Sequence, residues 1–487
     1  MHRCWVALIY TLCFGVSTPA ALAQSASDPL RGSLSADAEV IGSEQELNPA
    51  AAAGGAQGDV SALRPTSREG ALAKARVGAR APRFSERLSA AQARAGGGAT
   101  EDPQSGIFDG ETQRDRPERQ RVGRFVVVPN LTSGTGWTDN AAKTAGGEAD
   151  GFYSVEGGLD ARSDWSRHEL ALSLRGSYQA FFEDGDNNTP QFYAATDGRA
   201  DLSEQTQILT RGTYSFTREA RSSAENTVTT GRTASRQEFG GSIGVQRRVG
   251  VVGATASIEV DRTLYGAEAS SDDSTRNNTV FSSTLRLESQ GGGVLGTFVE
   301  AGGLLRRYDD ECAPGSIDCV DRDAHGYQIR GGIMIDRGPK LAGELGLGWR
   351  RETPEDDQLS DLKGLLVDGS LVWSPSRRDT VTFGAQTGFE ASSLDGATGS
   401  LLYSGSLAYA HQFTEDLVGD VGAAFSYREY EGIALDERDF SSTVGLTWAF
   451  SDFAALETRY TFEAFRSSEP GRDYDSSTIE AGLRLRR

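Results

Sequence analysis

The sequence predicts an all-β fold: a transmembrane antiparallel up-and-down β-barrel of about eighteen strands (16–18), preceded by a disordered N-terminal segment. Three observations lead there. The first is alternation, seen cleanly in Thr380–Glu390, where Val381, Phe383, Ala385, Thr387 and Phe389 share one face of an extended strand. Thr382, Gly384, Gln386, Gly388 and Glu390 take the other. The second is an export signal at the start of the chain. The third is a regular exchange of short turns and long polar loops.

The N-terminus is read first. His2 and Arg3 form a basic n-region, Trp5–Val16 an apolar stretch, and Ala21-Leu22-Ala23 a cleavage site, so residues 1–23 are expected to be a signal peptide. Residues 24–122 are rich in Ala, Gly, Ser and Arg and poor in large apolar side chains. Such a stretch buries too little surface to offset chain entropy and is expected to be a disordered periplasmic segment. Within it, residues 64–94 carry eight basic side chains against Glu69 and Glu86, which suits a solvated linker or a tether to a periplasmic partner.

From Gly123 the texture changes, and residues 123–487 are expected to form the barrel. Strands are read at 124–137, 151–163, 169–182, 191–204, 206–218, 235–249, 251–264, 278–290 and 294–308. They continue at 326–336, 341–352, 363–374, 380–392, 399–412, 417–430, 438–450, 454–466 and 476–487. Connections after even-numbered strands are short, as at Asp164–His168, Gln205 and Gly250. Those after odd-numbered strands are mostly longer, as at Glu219–Ala234 and Asp309–His325. Short periplasmic turns and long external loops are the habit of outer-membrane barrels. Mean hydropathy is -0.42, and the chain lacks the run of about 20 apolar residues that a membrane helix requires.

The two faces then separate. Leu170, Leu172, Leu174 and Tyr178, or Phe440, Val444, Leu446 and Trp448, make lipid-facing sets. The opposite face is expected to line the lumen through Arg175, Arg199, Arg211, Glu259, Arg330, Glu344, Arg350, Asp368, Glu390 and Arg459. A basic side chain on the lipid face would cost roughly 2–4 kcal/mol at mid-bilayer, so these face inward. There they either make a polar conduit or interlock as a charge network that closes the barrel. The net charge of -20 falls wholly on this part, with 35 basic and 55 acidic residues from Gly123 onward. An acidic module of this kind is a poor partner for nucleic acid.

Cys4 and Cys13 leave with the signal, and Cys312 and Cys319 remain in an acidic loop. In an exported protein this pair reads as a disulfide. No metal site, cofactor or catalytic residue is expected, since the four histidines accompany no nucleophile motif. The expected partners are outer-membrane lipid, lipopolysaccharide, and a polysaccharide or small polar solute.

The opening run PNLTSGTGWTDNAA and the following LDARSDWSRHELALSLRGSYQAFF resemble the outer-membrane beta-barrel porin type 2 family of alphaproteobacteria. The likeness covers about three quarters of the chain and carries no functional residue. It implies an outer-membrane channel or export conduit, often associated with exopolysaccharide. One departure is the end, Leu485-Arg486-Arg487, where such barrels often finish on Phe or Trp. A second reading, from the acidic loops, is a non-conducting structural or adhesive barrel.

Overall fold

Val249-Gly250-Val251-Val252 shows how tightly this chain turns from one strand to the next. Val249 and Val252 pair across a two-residue turn in which Gly250 has φ of 61°. That left-handed conformation is open to glycine without steric cost. Repeated antiparallel turns of this kind build one sheet.

The computed structural model describes residues 108, 110–115, 120–226, 231–266, 273–289, 294–309, 320–337, 340–392 and 394–486. The expected signal peptide, the basic stretch 64–94 and the expected Cys312–Cys319 disulfide lie outside the described residues.

The strands are β1 (Gln120–Val122), β2 (Phe125–Thr138), β3 (Asp150–Ser163), β4 (Glu169–Phe181), β5 (Thr189–Ser203), β6 (Thr206–Arg218) and β7 (Ser235–Val249). Next come β8 (Val252–Gly266), β9 (Asn278–Ser289), β10 (Leu295–Tyr308), β11 (Ala324–Asp336), β12 (Leu341–Pro354) and β13 (Leu362–Ser376). The last are β14 (Asp379–Ala391), β15 (Gly399–Gln412), β16 (Leu417–Glu431), β17 (Asp436–Ala449), β18 (Ala454–Ser467) and β19 (Tyr474–Arg486).

Each of β2–β19 pairs antiparallel with its sequence neighbours, and β19 pairs with β2, so an 18-stranded barrel closes on itself. Every strand expected from the sequence is present. β1 is an addition. Because β3 occupies one edge of β2 throughout, β1 pairs with Phe125–Val127 on the other edge, beyond the point where β19 ends. Connections at one end run two to five residues; those at the other run four to sixteen.

The faces follow the period. Ile258, Leu347 and Ile479 point outward and are about 60% exposed, as lipid-facing side chains must be in the protein alone. Trp137, Tyr153, Tyr327 and Trp349 ring the outer wall near the loop end, and Trp373, Tyr409, Trp448 and Phe450 ring it near the short-turn end. These are the two aromatic girdles of a membrane barrel.

One stretch breaks the pattern. Pairing of β13 with β14 stops at Asp368 and Gln386, although β14 pairs with β15 along its whole length. Beyond that point the β14 tip folds under the inner side of β13. Phe389, expected on the lipid face, is therefore buried against Leu362, Leu366 and Leu401. Its alternation is intact; the strand that carries it has parted from β13 while staying paired with β15.

Candidate functional site

The lumen of the barrel holds the expected polar residues, and its two sides differ. On β3–β6 the charges pair within a strand or with an adjacent one. Arg175 bonds Asp160 at 2.6 Å, and Arg211 bonds its direct cross-strand partner Asp197 at 2.8 Å. Arg199 stands 3.4 Å from both Glu169 and Asp201. These side chains stay partly open to solvent.

On β9–β13 the charges are dry and reach farther. Arg286, 1% exposed, passes over β10 and β11 to hold Glu344 on β12 in a two-pronged bond of 3.0 and 2.7 Å. Its guanidinium also lies 4.0 Å from the Phe298 ring and 3.1 Å from Glu288. Arg330 bonds Glu300 at 2.9 Å and approaches Asp368 at 3.5 Å. Arg306 and Arg350 converge on Glu352, at 3.0 and 2.5 Å. Buried ions on this scale persist when each charge is paired in good geometry, and each of these is, although Arg330 Nε, Arg350 Nε and Glu300 Oε1 make no hydrogen bond of their own. Glu259 is buried beside Ser282, which donates to it.

Near the loop end, on the β2–β6 and β18–β19 side, a pocket open to solvent has a volume of about 80 Å³. Its lining includes Lys143, Gln179, Arg218, Arg221, Arg459 and Glu480. The lumen beside it is bridged. The β14 tip carries Glu390 to Arg428 on β16 and to 3.8 Å from Arg236 on β7. Arg276 clasps Glu219 at 2.7 and 2.8 Å and covers the Tyr265 ring at 3.9 Å. The loop after β6 is drawn in as well, the Ala224 N–H donating to Glu437 at 2.9 Å.

The short-turn end is crossed by the described residues between Phe108 and Asp115. They fall in the span read as disordered, yet Phe108, Thr112 and Asp115 are buried. Phe108 packs on Val372, Ala408, Ala410 and Val418, and its carbonyl accepts from Thr380. Arg484 donates to Glu111, Thr112 and Asp115 at 2.7 to 2.8 Å, and Arg486 reaches Glu111 at 2.9 Å. Burial raises the Glu111 carboxyl, but Arg486 and Arg484 beside it hold it below its ordinary range. These residues form a strap along the β13–β19 side of the mouth.

Residues 116–487 match the family described as "Putative beta-barrel porin 2". The chain belongs to that family. Among solved structures, a mutant of the ferric enterobactin receptor of Pseudomonas aeruginosa is similar at 9% identity, with a TM-score of 0.38, over 74% of this chain and 80% of that one. The outer membrane protein opdK of Pseudomonas aeruginosa is similar at 12% identity, with a TM-score of 0.38, over 74% and 99% of the two chains. A BenF-like porin of Pseudomonas fluorescens Pf-5 is similar at 10% identity, with a TM-score of 0.39 and the same coverage. No curated protein matches the chain.

The ten residues proposed for the lumen lie on strands of this porin-family barrel, with Glu259, Arg330, Glu344, Arg350 and Glu390 buried and the other five half-buried. Glu390 differs from expectation in its surroundings: it is buried and ion-paired rather than hydrated. The sequence reading missed the strap, since composition alone marks 24–122 as unfoldable and says nothing of what Arg484 can hold. It also missed Arg236 and Arg276, although their separation from Glu390 and Glu219 along the chain left no signal to find. His411 bonds Asp379 at 2.7 Å on the outer wall, and Ser376 donates to that same carboxylate rather than to the imidazole. Among the described residues no group of three metal-ligating side chains occurs.

Proposed function

We propose that the chain is an outer-membrane channel or export conduit for polar solutes. Its short turns and strap face the periplasm and its loops face outward. The observation that carries this is the partly solvated inner face of β3–β6, which runs beside the open pocket near the loop end. Charges that reach no farther than the next strand leave a polar surface past which a hydrated solute can move. A membrane wall that served only to fill space would be dry on every side, as β9–β13 is.

In this state the path is obstructed at the short-turn end by the strap and at the loop end by the β14 tip. The conduit is therefore a gated one. Planar-bilayer recording of the purified protein tests it: stepwise currents are expected, more frequent once the strap is released. Silence in both forms would overturn the reading.

The non-conducting structural or adhesive barrel is favoured by one specific observation, the dry ion network of Arg286, Arg330 and Arg350. Unchanged permeability with lost surface attachment on deleting residues 309–325 would select it. A polymer such as exopolysaccharide is the solute that the family resemblance suggests, and a secretion assay in a deletion strain tests that. Outer-membrane lipid and lipopolysaccharide are the proposed surroundings, the latter at the loop end. A periplasmic partner is proposed for residues 64–94.

A further inference from the structure

We infer that the tip of β14, Thr387–Ala391, is a movable constriction that leaves the lumen by re-forming the ladder it lacks with β13. The first ground is the broken register. If the pairing of Asp368 with Gln386 ran on, Val367 would face Thr387 and Leu365 would face Phe389. Instead two side chains stand in for the strand. The Val367 N–H donates to the Thr387 hydroxyl at 2.9 Å, and the Tyr403 hydroxyl bonds the Leu365 backbone. Backbone groups at this depth in a membrane need a partner, and here they have one in the infolded arrangement.

The second ground is what the tip meets inside. The Phe389 carbonyl accepts from Arg306 at 3.2 Å, and the Phe389 ring lies 4.7 Å from the Arg350 guanidinium. Glu390 binds Arg428 and faces Arg236 on the far wall. The infolded tip is thus satisfied by arginines, and the zipped tip would be satisfied by β13. Two discrete arrangements, each offering the tip bonding partners, are the basis of a two-state element. Residues 379–386 stay in the wall and act as the fixed base. Glu390 stands where the tip reaches across the lumen, which makes it a residue that sets the charge preference of the passage.

This rests on the channel reading for its current, and on bond formation alone for its motion. Leu365 points outward and is 45% exposed, whereas Phe389 is buried on the inner side of β13. A disulfide needs Cβ atoms about 3.8 Å apart, so L365C/F389C can close only in the zipped ladder. Mild oxidation of the double variant in liposomes is expected to form the bond and to raise bilayer current several-fold over the reduced form. F389C alone, oxidised, should show no such rise. A folded double variant that never forms the bond overturns the motion. A bond that leaves a measurable current unchanged overturns the constriction. A bond with no current in any form overturns the channel reading and supports the motion. Independently, Glu390→Gln leaves Arg428 and Arg236 facing the gap and should shift the reversal potential toward anions; an unchanged reversal potential would overturn the role given to Glu390.

Discussion

The two sides of the lumen start from the same alphabet, inward arginines opposite inward carboxylates, and reach different states. On β3–β6 the acids are mostly aspartates, Asp160, Asp197 and Asp201, whose short side chains meet an arginine on the neighbouring strand or, for Asp201, on the same strand, and go no farther. On β9–β13 they are glutamates, Glu288, Glu300, Glu344 and Glu352, and Glu344 is reached across two intervening strands. Phe298 and Leu304 share that inner face and are buried with them. Longer acids and apolar neighbours draw the dry side together, while shorter acids among serines leave the other side wet. Side-chain reach, more than charge, separates wall from passage.

The largest effect should come from breaking the dry network. Arg286→Ala leaves Glu344 and Glu288 buried without their cation and is expected to cost about 3–5 kcal/mol in denaturant unfolding of the detergent-folded barrel. A loss below about 1 kcal/mol would place Arg286 in water. Next comes the strap. Arg484→Ala removes the donor shared by Glu111, Thr112 and Asp115, so protease cleavage within residues 108–115 should rise at least ten-fold. Unchanged cleavage would mean that Phe108 and the backbone hold the strap alone.

Acid should do the same to the strap reversibly. The Glu111 carboxyl is lowered when docked, so its contribution is present above the ordinary carboxylate value of about 4.3 and is lost as pH falls through the lowered one. Cleavage within 108–115 should be flat from about pH 8 to 5 and rise below about pH 4. The smallest effect belongs to the wet side. Arg175→Ala breaks a pair whose members are 29% and 45% exposed, and solvent screening limits the cost to about 1 kcal/mol or less. Its signature is a shift of ion selectivity toward cations, read from reversal potentials, with stability near wild type.

Most of the wall was legible because membrane strands obey one rule at every residue. Leu347, Trp349 and Arg350 take the faces that period two assigns, and the strand ends fall close to the Gly, Asn and Asp clusters that mark turns. The departures are tertiary. Phe389 keeps its alternation within β14, but nothing local to TVTFGAQTGFE tells that β13 releases the strand after Gln386. Phe108–Asp115 is too short and polar to bury itself; its partners include Arg484, more than three hundred residues away. Pairing of charges was likewise hidden, since parity tells which side chains face inward and leaves open which of them meet.

The central claim is that the solvated side of the lumen conducts once the ends are cleared. Bilayer current of wild type against a variant lacking residues 108–115 measures it most directly. The account predicts rare openings for wild type and frequent or sustained ones for the deletion, with the barrel equally well folded. A deletion variant that is folded and inserted yet as silent as wild type would contradict it.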